Sequence, residues 1–199
     1  MAVADNEKLM THLGQAFLDY GYDQATMVAL ARACDLTRRA LYNHFSNKEE
    51  AFREMLRWRH GIEIEAGLQA GKQAVASGAT AVGALVAVFD ARYGEARRNL
   101  ERSPHALEIN HEAFRRCRDI MSASTENFQE RLAQFIDYLA AHNLLQLKAG
   151  ITRNDAAQLL ADGARGVNQS LPARSSVTLA ERYERMCDAL LCGCAESKP

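Results

Sequence analysis

The chain has 199 residues, with 24 Lys and Arg against 25 Asp and Glu, a net charge of −1, 48% apolar residues and three prolines. That length buries a core, and the near-neutral balance excludes a protein that grips nucleic acid over its whole surface by charge. Ala and Leu dominate, while Val, Ile and Thr form no alternating runs, so a sheet protein is excluded and an all-α fold is predicted.

In chain order, Leu9, Leu13, Phe17 and Tyr20 recur at helical spacing and predict a first helix from about Asn6 to Tyr20, closed by Gly21 at the C′ position. Thr26 caps a second helix to about Cys34, with Val28, Leu30 and Ala31 available for packing. Asp35 holds a turn. Thr37 then caps a third helix to about His44, with Ala40, Leu41 and Phe45 turned inward. Ser46 with Glu49 reads as a capping box opening a fourth helix that carries Phe52, Met55, Leu56 and Trp58. Gly61, Gly67 and Gly71 weaken its far end, and a composition change near His60 marks the expected domain border, giving domains 1–60 and 61–199.

Beyond the border, Thr80 to about Leu100 is an apolar helix, and Ser103-Pro104 starts another towards Asp119. Glu126 to His142 follows. Thr152 caps a helix to about Ser170, Leu171 to Ser176 is a loop, and Thr178 with Glu181 is a second capping box. It opens a last helix to about Cys194. The five cysteines, an odd number, fit no zinc spacing, and Met1 to Gly14 holds no apolar leader-like run. Free thiols in a cytoplasmic protein are expected, with Cys187 and Cys194 buried, and no stretch has the length of a membrane span.

Residues 26–45, two short helices joined by a tight turn, have the layout of a helix-turn-helix that puts one helix into a DNA groove. From Thr26 to His60 seven basic residues face four acidic ones, a local net charge of +3. The residues Thr26, Leu30-Ala31, Leu36-Thr37, Leu41-Tyr42-Asn43-His44-Phe45 and Ser46-Asn47-Lys48-Glu49 resemble the TetR family of bacterial transcriptional repressors over roughly the first 60 positions. Two places depart from the family pattern. Asp35 stands where glycine is usual, and Arg39-Ala40 where small residues and threonine are common, so the resemblance implies no particular operator sequence.

The resemblance implies an N-terminal three-helix DNA-binding domain followed by a helical effector-binding and dimerisation domain. It implies a homodimeric regulator, a repressor released from a near-palindromic operator in double-stranded DNA by a small-molecule effector, with no cofactor and no enzyme activity. The last two helices, about 153–170 and 178–194, would pair with their copies. Arg38 and Arg39 open the recognition helix, where arginine bonds guanine edges bidentately. Ala40 lies at the same surface. Tyr42 and His44 are expected on phosphates, as are Lys48 and Thr26 near the starts of their helices. Thr37 is a cap compatible with the same role, and Asn43 points either at the groove or at solvent.

Outside this motif, Glu108-x-x-His111 with His105 and Glu112 has the spacing of a mononuclear metal site, the alternative being a helical metal-binding or enzymatic protein. Only one Glu-x-x-His is present, against the two that a di-metal bundle needs. Trp58 is expected to pack between the domains. Leu85, Phe89, Tyr93, Phe128 and Phe135 either line a cavity or form solid core, since an amphipathic helix shows the same stripe in both cases.

Overall fold

The computed structural model describes residues 3–170 and 174–195. Helices dominate: α1 Val3–Gln24, α2 Met27–Ala33, α3 Arg38–Tyr42, α4 Lys48–Ala76, α5 Ala81–Phe89, a π-helical turn Asp90–Gly94, α6 Glu95–Arg102, α7 Ala106–Arg116, α8 Arg118–Ala141, α9 Arg153–Asn168, a 3-10 turn Ser176–Thr178 and α10 Leu179–Cys194. The only extended pairing among the described residues is a bridge between Leu147 and Ala195. Of the loop expected over Leu171–Ser176, residues 171–173 lie outside the described residues, and Ser176 opens the 3-10 turn.

The chain divides into two compact units, one of residues 1–62 with 99–124 and one of residues 63–98 with 125–199. In the first unit, Leu13, Phe17, Leu30, Leu41 and Phe52 form a sealed centre joined by Ile109, Cys117 and Ile120. Phe17 and Tyr22 each meet the Phe52 ring edge-on, at 4.9 and 5.1 Å between centroids, a geometry that complements ring quadrupoles. Trp58 is partly buried and packs on this core. In the second unit, Leu85, Val88, Phe89, Phe128, Leu132, Phe135, Leu139, Leu160, Tyr183 and Cys187 are buried together. Burial pushes the Cys187 thiol up to about 12, and Cys34 and Cys117 up to about 11, so these thiols stay protonated and behave as apolar groups. Cys194 is buried as well, whereas Cys192 is exposed.

Most helix starts fall where their caps predict. Thr26, Thr37, Thr80 and Thr152 each accept a backbone N–H three residues on, and Thr152 with Asp155 completes a capping box. Gly21 does reverse the chain, with φ +73°, although a short helical stretch resumes after it. Other starts shift. The fourth helix is capped by Asn47, whose Oδ1 accepts from Glu50 N at 2.9 Å, and Glu50 rather than Glu49 reaches back to the Ser46 N–H and hydroxyl. Glu49 is drawn away by Arg116.

α7 begins at Ala106, because the Ser103 hydroxyl donates to Leu18 O at 2.6 Å and accepts from His105 N at 3.0 Å. α8 starts at Arg118 rather than Glu126, separated from α7 by Cys117. Thr178 makes no side-chain cap: its hydroxyl donates to Ser175 O, and Glu181 pairs with Arg185 instead. Val28 is 51% exposed, and buried Met27 takes the packing role assigned to it.

α4 runs unbroken through all three glycines that were expected to weaken it. Two of them have a packing reason. A Cβ on Gly67 would lie 2.8 Å from Val88 O, and one on Gly71 would lie 2.5 Å from Val88 Cγ2 and 2.7 Å from Phe135 Cζ. Close approach offsets the backbone-entropy cost of glycine.

The cavity candidates belong to solid core: Leu85, Phe89, Phe128 and Phe135 are buried, with Tyr93 packed against them. A groove of about 840 Å³ lies elsewhere in the second unit, lined by Val82, Ile136, Leu144, Leu147, Asp188 and Cys192 among others.

Candidate nucleic-acid interface

The first unit presents its polar side chains from a short, rigidly held segment. α2 ends at Cys34, whose N–H bonds to Leu30 O and Ala31 O. Asp35 then takes φ +54°, the left-handed conformation that glycine supplies at no cost and aspartate tolerates better than most residues. Leu36 N returns to Ala31 O at 2.9 Å and closes the turn. Thr37 Oγ1 accepts from Ala40 N at 3.1 Å, and Leu41 and Phe45 are buried. These anchors leave the opposite side of α3 to solvent.

Arg38, Arg39, Tyr42, Asn43 and His44 are exposed there, with Thr37 at the start of the helix and Thr26 at the cap of α2. Ala40 is partly buried. The Arg38 guanidinium lies 5.4 Å from the Tyr42 ring centroid. Such stacking restricts an otherwise free arginine and leaves its N–H fork available.

Lys48 is placed differently. Its Nζ donates to Tyr22 O at 2.7 Å and Asp23 O at 3.2 Å and sits 4.5 Å from the Tyr22 ring centroid. It ties the start of α4 to the end of α1. On the same tyrosine, the Arg116 guanidinium also lies 4.5 Å from the ring centroid.

Arg116 introduces a polar lattice that sequence reading missed. It pairs with Glu49 and, at 2.5 Å, with Glu112. Glu112 is buried and also accepts from Arg115 at 2.8 Å. Those arginine hydrogen bonds, Arg115 first, hold its carboxyl at about 2 despite the opposing effect of burial. Arg53 bonds both oxygens of Asp119, at 3.0 and 2.5 Å, and the Arg116 carbonyl. Arg53 and Glu49 meet their partners 63 to 67 residues further along the chain. Only the helical periodicity of α7 was visible beforehand, and periodicity does not say which element an arginine meets.

The metal candidates do not converge. His105 Nδ1 is 3.2 Å from Glu108 Oε2, while Glu108 Oε1 accepts from Asp23 N at 2.6 Å. His111 lies instead against Glu112, at 3.4 Å. Among the described residues no three His, Cys, Asp or Glu side chains group as for a metal ion. Glu108 has a different employment: it satisfies a backbone amide just after the Gly21 reversal, where a helix end leaves donors unpaired.

Two helices at a left-handed turn, the second bearing an exposed arginine pair, define the class: a helix-turn-helix protein. Residues 15–55 match the family model described as bacterial regulatory proteins, tetR family. No curated protein sequence matches the chain. Among solved structures it resembles a transcriptional regulator from Cytophaga hutchinsonii ATCC 33406, with TM-score 0.69, 16% identity, and 96% of this chain and 98% of that one covered.

It also resembles SmeT, the repressor of the Stenotrophomonas maltophilia multidrug efflux pump SmeDEF, with TM-score 0.65, 17% identity, and 96% and 90% covered. The fatty acid degradation regulator FadR from Bacillus halodurans matches with TM-score 0.67, 14% identity, and 97% of each chain covered. The chain thus has the fold of a tetR-family transcriptional regulator, a helix-turn-helix followed by a helical remainder. Among the described residues no helix is long and apolar enough to cross a membrane.

Proposed function

We propose that this regulator is a cytoplasmic homodimeric repressor that leaves its operator when a small molecule binds the second unit. The exposed row on α3, held by the Thr37 cap and by buried Leu41 and Phe45, carries the reading. Arg38 and Arg39 read base edges. Tyr42, His44 and Thr26 contact phosphates, Thr37 and Ala40 border the groove, and Asn43 turns towards it. Lys48 serves the phosphate grip from its tether on Tyr22 and Asp23. Residues 1–60 act as the DNA-binding domain and 61–199 as the effector-binding and dimerisation domain.

The dimer forms through α9 and α10, where Leu159 is exposed and open space surrounds the position a Cβ would take on Gly166. Two-fold symmetry then sets the recognition helices about 34–36 Å apart, one turn of duplex. Support for effector control comes from SmeT, which has a solved complex with triclosan.

Gel shift against genomic fragments tests the reading. Each lost bidentate contact costs about 1–3 kcal/mol, so the Arg38→Ala, Arg39→Ala double variant loses on the order of 100-fold or more in affinity. Full retention by that variant removes these residues from the interface. Affinity also falls steeply with salt, because phosphate contacts release counterions, and a flat response contradicts DNA binding by this surface.

A further inference from the structure

Tyr22 is buried near the end of α1, its ring stacked on Phe17 at 6.0 Å and edge-on to Phe52. Two cations lie over that one ring, each 4.5 Å from its centroid: the Lys48 ammonium and the Arg116 guanidinium. The ammonium also donates to the Tyr22 and Asp23 carbonyls, at 2.7 and 3.2 Å. An ammonium carries three N–H donors, so two go to backbone and one is left. Where that last donor lies depends on how Tyr22 and the start of α4 are held. Arg116 holds both. Its guanidinium covers the Tyr22 ring and pairs with Glu49, the residue next to Lys48. Arg116 is itself fixed: its Nε donates to the buried Glu112 carboxylate at 2.5 Å, and its carbonyl accepts from Arg53 of α4. A planar guanidinium can stack on a ring and fork to carboxylates at the same time, which a point-charge ammonium does poorly.

We infer that Arg116 is a positioning residue for DNA binding: through Tyr22 and Glu49 it stations the Lys48 ammonium where its remaining N–H meets a backbone phosphate. The inference rests on the DNA-binding reading above and adds to it a residue from far outside the matched stretch of residues 15–55. Arg116 acts without touching the duplex, since its side chain is mostly covered and its fork is engaged by Glu49 and Glu112. The two routes converge on one atom. The ring fixes the carbonyl that Lys48 grips, and Glu49 fixes the turn of helix from which Lys48 extends. A polar network with its partners satisfied keeps a single arrangement, so the donor is in place before the phosphate arrives.

The test uses the full chain and a genomic fragment retarded by the wild type, with affinity followed from about 50 to 200 mM salt. Lys48→Ala is expected to flatten the slope of log affinity against log salt by about 0.9 per head, the worth of one phosphate contact. Arg116→Lys keeps the charge but not the fork, and is expected to flatten the slope by the same amount. Adding it to Lys48→Ala is expected to change the slope no further. A residue serving the fold alone would lower the melting temperature and leave the slope untouched. Should Arg116→Lys fail to fold, Glu112→Gln replaces it. That variant loosens Arg116 while removing a negative charge, which by itself favours DNA, so a flatter slope there comes from position. The inference is overturned if Lys48→Ala or the variant at the Arg116 anchor keeps the wild-type slope, or if their effects add. In those cases the wild type still binds and the regulator reading stands. A wild type that retards no fragment refutes that reading and the inference with it.

Discussion

Glu112 in the first unit and Tyr183 in the second are both nearly sealed from water, at 5% and 0% exposure, and their surroundings treat them in opposite ways. Glu112 accepts from two arginines, and one of these reaches on to Glu49 and stacks on Tyr22. Tyr183 has a ring fully packed and a hydroxyl left alone. Satisfied networks fix one geometry, whereas an unsatisfied group marks a place where stability has been forgone. Glu112 is therefore held in one geometry by its arginines, whereas nothing fixes the Tyr183 hydroxyl.

The largest expected effects ask whether the two cores are separate at all. Phe52→Ala should cost about 3–5 kcal/mol and Leu132→Ala about 2–5 kcal/mol. Hydrogen exchange is expected to show the first lowering protection in residues 1–62 and 99–124, and the second in residues 63–98 and 125–199. Joint loss of protection in either variant would erase the division.

Next in size is Glu112→Gln, expected to destabilise by about 2 kcal/mol, discounted because Arg115 is half exposed. The folded-state pKa of Glu112, about 2, lies below its ordinary 4.5, so its contribution is complete above about pH 5 and drains away as pH falls towards 2. Urea unfolding at pH 7 and pH 3 should therefore show wild type and variant converging in acid. A gap of equal size at both values would mean that the arginines stabilise something other than the carboxylate.

The smallest effect probes strain in the first unit. Asp35→Gly should add about 0.5 kcal/mol by relieving the left-handed turn, less the chain entropy glycine brings to the unfolded state. Thermal melting of the two proteins measures it, and a loss would show that the Asp35 side chain holds the turn in place.

The helix-turn-helix was legible because its determinants are local. Thr26, Asp35 and Thr37 act on backbone within three to five residues of themselves, so spacing alone locates them. The cap of α4 slipped by one residue because Ser46-Asn47 offers two competing oxygens, and Arg116 decides between the two glutamates from far along the chain. The uninterrupted α4 was unreadable for a related reason. Gly67 and Gly71 look like helix breakers until Val88 and Phe135 are set against them. The exposed arginines of α3 were visible in sequence, whereas Arg53, Glu112 and Arg116 became visible only through their partners.

The tethers from residues 103–119 also bear on the exchange of DNA-binding heads between relatives. A chimera cut at residue 60 would separate the Leu18 carbonyl from Ser103, the Asp23 amide from Glu108, the Tyr22 ring and Glu49 from Arg116, and Arg53 from Asp119. The incoming head would meet foreign side chains at every one of those points. Any substituent on Gly21 would collide with Glu108 and His105, so even a one-residue mismatch at that reversal would spread into the graft. Transplanting the helix-turn-helix of this protein therefore calls for moving two stretches of chain together, residues 1–62 and 99–124, as one cassette.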